Sequence, residues 1–177
     1  MLKAMLSNFL LILITACGDS GDKVAQLQLS DEVNLEVRDS TFLIKEGGMN
    51  FQITLPAHIL VHGAPTMKFN AASGHYEIQD ATERLWLQFF FDERPWTEVL
   101  EHVNQNTLFR IEWVENKDNQ AIWNRYLPDG TFFDQMFVSI LNSSTQRITV
   151  ASSPEGEFSV DDIQKMLSIV STIKLLS

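Results

Sequence analysis

The segment Leu85-Trp86-Leu87-Gln88-Phe89-Phe90-Phe91 constrains the fold of this chain more than any other. Successive side chains of an extended strand point to opposite faces. Leu85, Leu87, Phe89 and Phe91 therefore share one face, and Trp86 and Phe90 take the other. Apolar residues on both faces need cover on both sides, so the segment is expected to be a central strand with a layer above it and a layer below.

The rest of the body reads as strands of ordinary half-buried character. Thr41–Lys45 and Asn50–Leu55 flank Glu46-Gly47-Gly48-Met49, a two-glycine hairpin signature. Phe51, Ile53 and Leu55 lie on one face of the second strand, Gln52 and Thr54 on the other, and Pro56 ends it. Residues 66–70 and 75–79 form a second expected hairpin around Ala71-Ala72-Ser73-Gly74. Leu108–Val114 alternates Phe109, Ile111 and Trp113 against Arg110 and Glu112. Gln120–Leu127, Phe132–Leu141 and Gln146–Ala151 follow as strands, separated by Pro128-Asp129-Gly130 and Asn142-Ser143-Ser144. Val33, Leu35 and Val37 also alternate, so an edge strand could begin there.

Two segments have helical spacing. Pro95–Asn106 opens on proline and places Trp96, Val99, Leu100 and Val103 on one face. The second follows Ser159, an N-cap with Asp162 three residues on, and carries Ile163, Met166, Leu167, Val170 and Ile173 as one apolar stripe. The expected class is α+β: a mostly antiparallel sheet of about six to eight strands with a mid-chain and a C-terminal helix packed on it.

The start of the chain has a different character. One cation, Lys3, precedes Phe9-Leu10-Leu11-Ile12-Leu13-Ile14, and small residues follow. A short cationic start, an apolar run of ~7–15 residues and a small-residue site describe a secretory signal peptide. The run is about half of the ~20 residues that a spanning helix needs. Ile14-Thr15-Ala16-Cys17 resembles the bacterial lipobox. That resemblance implies cleavage before Cys17, a diacylglycerol on its thiol and acylation of the new amino terminus. Gly18 after the cysteine, by resemblance to the sorting pattern of didermal bacteria, implies the outer membrane with the domain facing the periplasm. The expected organisation is a signal peptide over 1–16, the lipidated Cys17 and a polar tether over 17–38, and one globular α+β domain over 39–177. Several acyl chains anchor a protein without a spanning segment, at about 0.8 kcal/mol per buried methylene.

A softer resemblance covers most of residues 41–176. The strand Phe51-Gln52-Ile53-Thr54-Leu55-Pro56 after a hairpin, the meander, the mid-chain helix and the closing helix with Ser171-Thr172-Ile173 are similar to PsbP-like and DcrB-like α/β/α sandwiches. That family consists largely of non-catalytic binding or assembly accessories, and it implies no functional residue set for this chain.

Charge bears on the partner. With 13 Lys+Arg against 23 Asp+Glu the net charge is −10, which disfavours nucleic acid and anionic lipid surfaces and suits either a basic protein partner or, more commonly, solubility alone. Cys17 is the single cysteine, so no internal disulfide is possible. His58 and His62 are four apart between Pro56 and Gly63, but no third ligand with suitable spacing follows. Glu98 and His102, beside Glu101, match a general acid–base pair in spacing and equally a solvated helix pair. No serine lies in Gly-x-Ser-x-Gly or Ser-x-x-Lys, and Gly47-Gly48 reads as a turn and not a phosphate loop. No catalytic residue, metal ligand or cofactor is assigned.

One loop suits a protein partner. Asp92-Glu93-Arg94-Pro95-Trp96 follows the central strand and opens a helix, and Asp92, Glu93, Arg94 and Trp96 are expected to bind there. The plainer expectation is that Trp96 anchors the helix to the sheet. The reading as a whole is a non-enzymatic envelope lipoprotein that binds a protein, in its concrete form an immunity protein against a toxin injected by a type VI secretion system. The alternative is an assembly or transport accessory. A third class, a hydrolase, predicts a deep cleft with converging carboxylates or histidines.

Overall fold

A computed structural model describes residues 39–61 and 63–176. The expected signal peptide, Cys17, the tether with Val33, Leu35 and Val37, and His62 all lie outside the described residues. The chain divides into units of residues 1–35 and 36–177, and every described residue belongs to the second.

β1 (Ser40–Glu46) and β2 (Met49–Leu55) form the expected hairpin, with Glu46 opposite Met49. Gly47 and Gly48 between them both have positive φ, 60° and 82°, the backbone that a two-residue hairpin loop of type I′ requires. Pro56 then opens a short helix, α1 (Ala57–Leu60). β3 (Thr66–Asn70) and β4 (His75–Gln79) make the second hairpin, and β5 (Trp86–Phe90) is the apolar strand.

After β5 the chain crosses the sheet through α2 (Trp96–Asn104) and reaches the far edge. It returns as a meander of β6 (Arg110–Lys117), β7 (Gln120–Tyr126), β8 (Phe132–Asn142) and β9 (Arg147–Ser152). β9 lies beside β5, so the seven-stranded antiparallel sheet runs β3-β4-β5-β9-β8-β7-β6 and β5 is interior. α3 (Val160–Val170) follows, and β10 (Lys174–Leu175) joins β2 to complete a separate three-stranded sheet, β1-β2-β10. The class is α+β as expected. The division into two sheets is a feature the strand pattern did not announce.

One face of β5 is fully covered and the other only in part, since Trp86 and Phe90 are half-buried. Leu87 and Phe89 are wholly buried on one side, where Phe51 of β2 stacks on Phe89 at 4.8 Å and α3 packs against β2, β8 and β9. On the other side α2 lies over Phe90, with Val99 buried and Trp96, Leu100 and Val103 packed against the core. In α3 the buried apolar positions are Ile163, Met166, Ile169 and Val170. Ile169 lies inside, while Leu167, expected in the stripe, is only half-buried.

β6 starts later than its alternation suggests and ends later too. Asn106 Oδ1 accepts from the backbone N–H of Leu108 (2.9 Å) and Phe109 (3.2 Å), which holds those residues in a turn and delays the strand to Arg110. A bulge at Val114, which is exposed, shifts the register between Trp113 and Glu115, and pairing continues beyond it to Lys117.

Candidate functional site

The loop after β5 spends its charges on itself. Arg94 donates from Nε (2.9 and 3.1 Å) and Nη2 (2.7 Å) to both oxygens of buried Asp92, and its backbone N–H adds a bond of 3.0 Å. The Arg94 hydrogen bonds outweigh burial and hold the Asp92 carboxyl below the usual aspartate range. They likewise push the guanidinium up. Arg147 Nη2 donates to the Arg94 carbonyl at 2.8 Å. Trp96 is half-buried against the core, so it anchors α2, and Glu93 is exposed. The structure thus pairs Asp92 with Arg94, while Glu93 faces solvent and Trp96 packs on the core.

Beneath α2 a groove of about 250 Å³ runs over Phe90, Val99, Val103, Trp123, Met136 and Val138. Thr149 is wholly buried along it, and its hydroxyl has no hydrogen-bond partner. The groove is mainly apolar, and Asp92 with Arg94 closes one side of it.

A larger concavity lies elsewhere, where the β4–β5 turn meets the loop before α3. It has a volume of about 520 Å³ and is walled by Glu83, Arg84, Trp86, Glu155, Glu157 and Asp162. A second concavity of about 200 Å³ shares Thr82, Arg84 and Asp162 with it and is lined further by His58, Asp80, Lys165 and Met166. The first wall is held by Asp80, a buried residue whose Oδ1 accepts from the N–H of Arg84 (3.1 Å) and Leu85 (3.2 Å) and whose Oδ2 accepts from Thr82 Oγ1 (2.7 Å). That tie presents Glu83 and Arg84 to solvent, with Glu83 in the left-handed region at φ 58°.

The second wall begins at Ser153, whose N–H bonds the Trp86 carbonyl at 3.0 Å. At Gly156 an added Cβ would meet the ring of Phe158 at 2.2 Å, so only glycine lets the loop close over that buried ring. Ser159 and Asp162 then form a reciprocal cap on α3. The Asp162 N–H donates to Ser159 Oγ (3.2 Å), while the Ser159 N–H (3.1 Å) and hydroxyl (2.6 Å) donate to Asp162 Oδ2. Asp162 itself is only 3% exposed, and its Oδ1 is buried without a hydrogen-bond partner. The nearest cation, Arg84 Nη1, stands 3.9 Å away on a side chain that is 72% exposed. The indole N–H of Trp86 is also buried without an acceptor.

The carboxylates of Glu83, Glu155, Glu157 and Asp162 outnumber the single cation Arg84 in the main chamber. The positive end of the α3 dipole is already met by the Asp162 carboxylate, so the cleft does not present a helix end to an anion. Its chemistry favours a cation.

Nucleophilic chemistry finds less support in the geometry. Ser73, His75 and Glu77 converge, but Ser73 Oγ (3.4 Å) and Glu77 Oε1 (2.5 Å) both meet Nε2 of the ring. An acyl-transfer relay needs the serine on one ring nitrogen and the carboxylate on the other. His58 is exposed on α1, and Glu98 and His102 are exposed on α2. Among the described residues no three His, Cys, Asp or Glu side chains are grouped to hold a metal ion, and no helix is long and apolar enough to cross a membrane.

The cleft residues were hidden from the sequence for a topological reason. Glu83-Arg84 and Glu155-Gly156-Glu157 sit in two loops that only the β5–β9 pairing brings to the same end of the sheet. Asp162 was legible as a cap, whereas its spare oxygen was not.

No family model matches this chain, and no curated protein matches it. Among solved structures it is similar to the solution structure of cyanobacterial PsbP (CyanoP) from Synechocystis sp. PCC 6803. The match has a TM-score of 0.48 and 10% identity, and it covers 85% of this chain and 99% of that one. At that identity and superposition it carries neither family nor function across to this chain.

Proposed function

We propose that this chain is an envelope lipoprotein, anchored through Cys17, whose domain binds the basic surface of a protein partner through the cleft between the β4–β5 turn and the loop before α3. The observation that carries the reading is the gathering of Glu83, Glu155, Glu157 and Asp162 around one concavity of about 520 Å³ in a chain whose net charge is −10. Acidic walls speed the approach of a basic partner and repel acidic ones. In its concrete form the partner is a toxin delivered into the periplasm, and the chain is the immunity protein that neutralises it.

Cross-linking in intact cells tests this. A photoreactive residue at position 157 of the full chain is expected to trap a discrete partner, and one at exposed Val114 is not. With the probe kept at 157, lysine at both 83 and 155 abolishes the adduct, and Cys17→Ser releases it from the membrane fraction. Equal trapping from 114 and 157 would remove the cleft from the account. The immunity form further expects the chain to restore growth to cells that express the trapped partner.

A further inference from the structure

We propose that the cleft receives one arginine side chain of the partner, seated against Asp162 Oδ1 after Arg84 swings out of the mouth. The proposal rests on the cleft being the partner surface and adds which chemical group it reads.

Asp162 has two oxygens with different fates. Oδ2 takes both Ser159 donors and completes the helix cap, while Oδ1 has none. A carboxylate oxygen shut away from water without a donor is costly, and capping does not require it. Arg84 Nη1 at 3.9 Å is beyond hydrogen-bonding length, and its exposed side chain gives the pair little strength. Arg84 is therefore a loose, removable cover over an acceptor that stays unfilled.

The surroundings select the incoming group. A cation entering the chamber passes Glu83, Glu155 and Glu157 before it reaches Asp162. These acids stand on two separate loops, and no three of them group as metal ligands. A guanidinium suits that layout better than a compact ion does. Its planar fork of five donors can hold Oδ1 and a rim carboxylate at once, and its face can lie on the indole of Trp86, which lines the chamber. Arg84 shows that a guanidinium fits the mouth. The walls are set in advance by the Asp80 ties and by the close approach of Gly156 to Phe158, so little order is lost on binding.

The test is a titration of the full chain, held in neutral detergent and labelled at tryptophan, with acetyl-Gly-Arg-Gly-amide. The indole N–H resonance of Trp86, assigned through Trp86→Phe, is followed beside those of Trp96, Trp113 and Trp123. The arginine peptide is expected to shift Trp86 alone and saturably, the lysine peptide to bind more weakly, and the norleucine peptide to have no effect. Asp162→Asn weakens binding by roughly tenfold or more. Because that change also touches the helix cap, Glu155→Gln with Glu157→Gln serves as a second variant, in exposed residues outside the cap, and weakens binding too. Arg84→Ala tightens binding, since it removes the cover and a competing charge. The proposal is overturned if Trp86 does not respond, if Arg84→Ala binds no better than the native chain, or if the paired glutamines change nothing. A cross-link from position 157 that persists while the peptide moves nothing sinks the arginine assignment and leaves the partner reading intact. A peptide response with no cross-link does the reverse.

Discussion

Glu77 illustrates what a single buried acid demands of its neighbours. It lies on β4, almost wholly covered, with His75 Nε2 at 2.5 Å and Lys68 Nζ at 3.4 Å from its two oxygens. Burial pushes the carboxyl up, but the bonds and charges of His75 and Lys68 outweigh it and hold the group below the usual glutamate range. A carboxylate whose folded value is depressed adds stability that is complete above the ordinary value of about 4.3 and is withdrawn as pH falls through the lower folded value. Glu77→Gln is therefore expected to be less stable than the native chain near neutrality, with a gap that closes as pH drops from about 5 to 3. Urea denaturation across that range reads it, and a gap independent of pH would contradict it. In the sequence Glu77 is simply one polar residue in a hairpin, since its partners come from β3 and from its own strand and not from a motif.

Elements were the most legible scale. The two-glycine turn at Gly47-Gly48, the strand alternations and the Ser159 cap all depend on neighbours within a few positions, so the sequence displays them. Two departures in β6 are local: the Asn106 side chain delays its start, and pairing continues past a backbone bulge at Val114. The α3 cap also gives a prediction. Ser159→Ala removes the hydroxyl that accepts from the Asp162 N–H and donates to Oδ2, and it is expected to cost about 1 kcal/mol by denaturant unfolding. Ser159→Asp, which restores an acceptor at the cap, recovers less than Ser159→Thr. The reason is that it sets a second carboxylate beside Asp162.

At the scale of the whole molecule, an aromatic cluster joins the two sheets. Phe51 of β2 stacks on Phe89 of β5 and meets the edge of Tyr76 of β4 at 6.4 Å, all three buried. The hairpin tip reinforces this, because Gly47 lies where a Cβ would strike the ring of Phe69 on β3. Phe51→Ala is expected to cost about 3–5 kcal/mol, a large share of the ~5–15 kcal/mol that holds a domain folded. The loss would appear as a lower urea midpoint, and a slope reduced along with it would mean that the small sheet detaches before the large one.

By itself the sequence determined the α+β class, the position of the central strand and the two helical stripes, because side-chain alternation and helical spacing are written in adjacent residues. Tertiary structure alone decided that β10 leaves the main sheet to pair with β2, that Asp92 and Arg94 neutralise each other, and that four acids close on one chamber. The last of these depends on the β5–β9 pairing, which brings residues 83–84 and 155–157 to one end of the sheet, a property of distance in space.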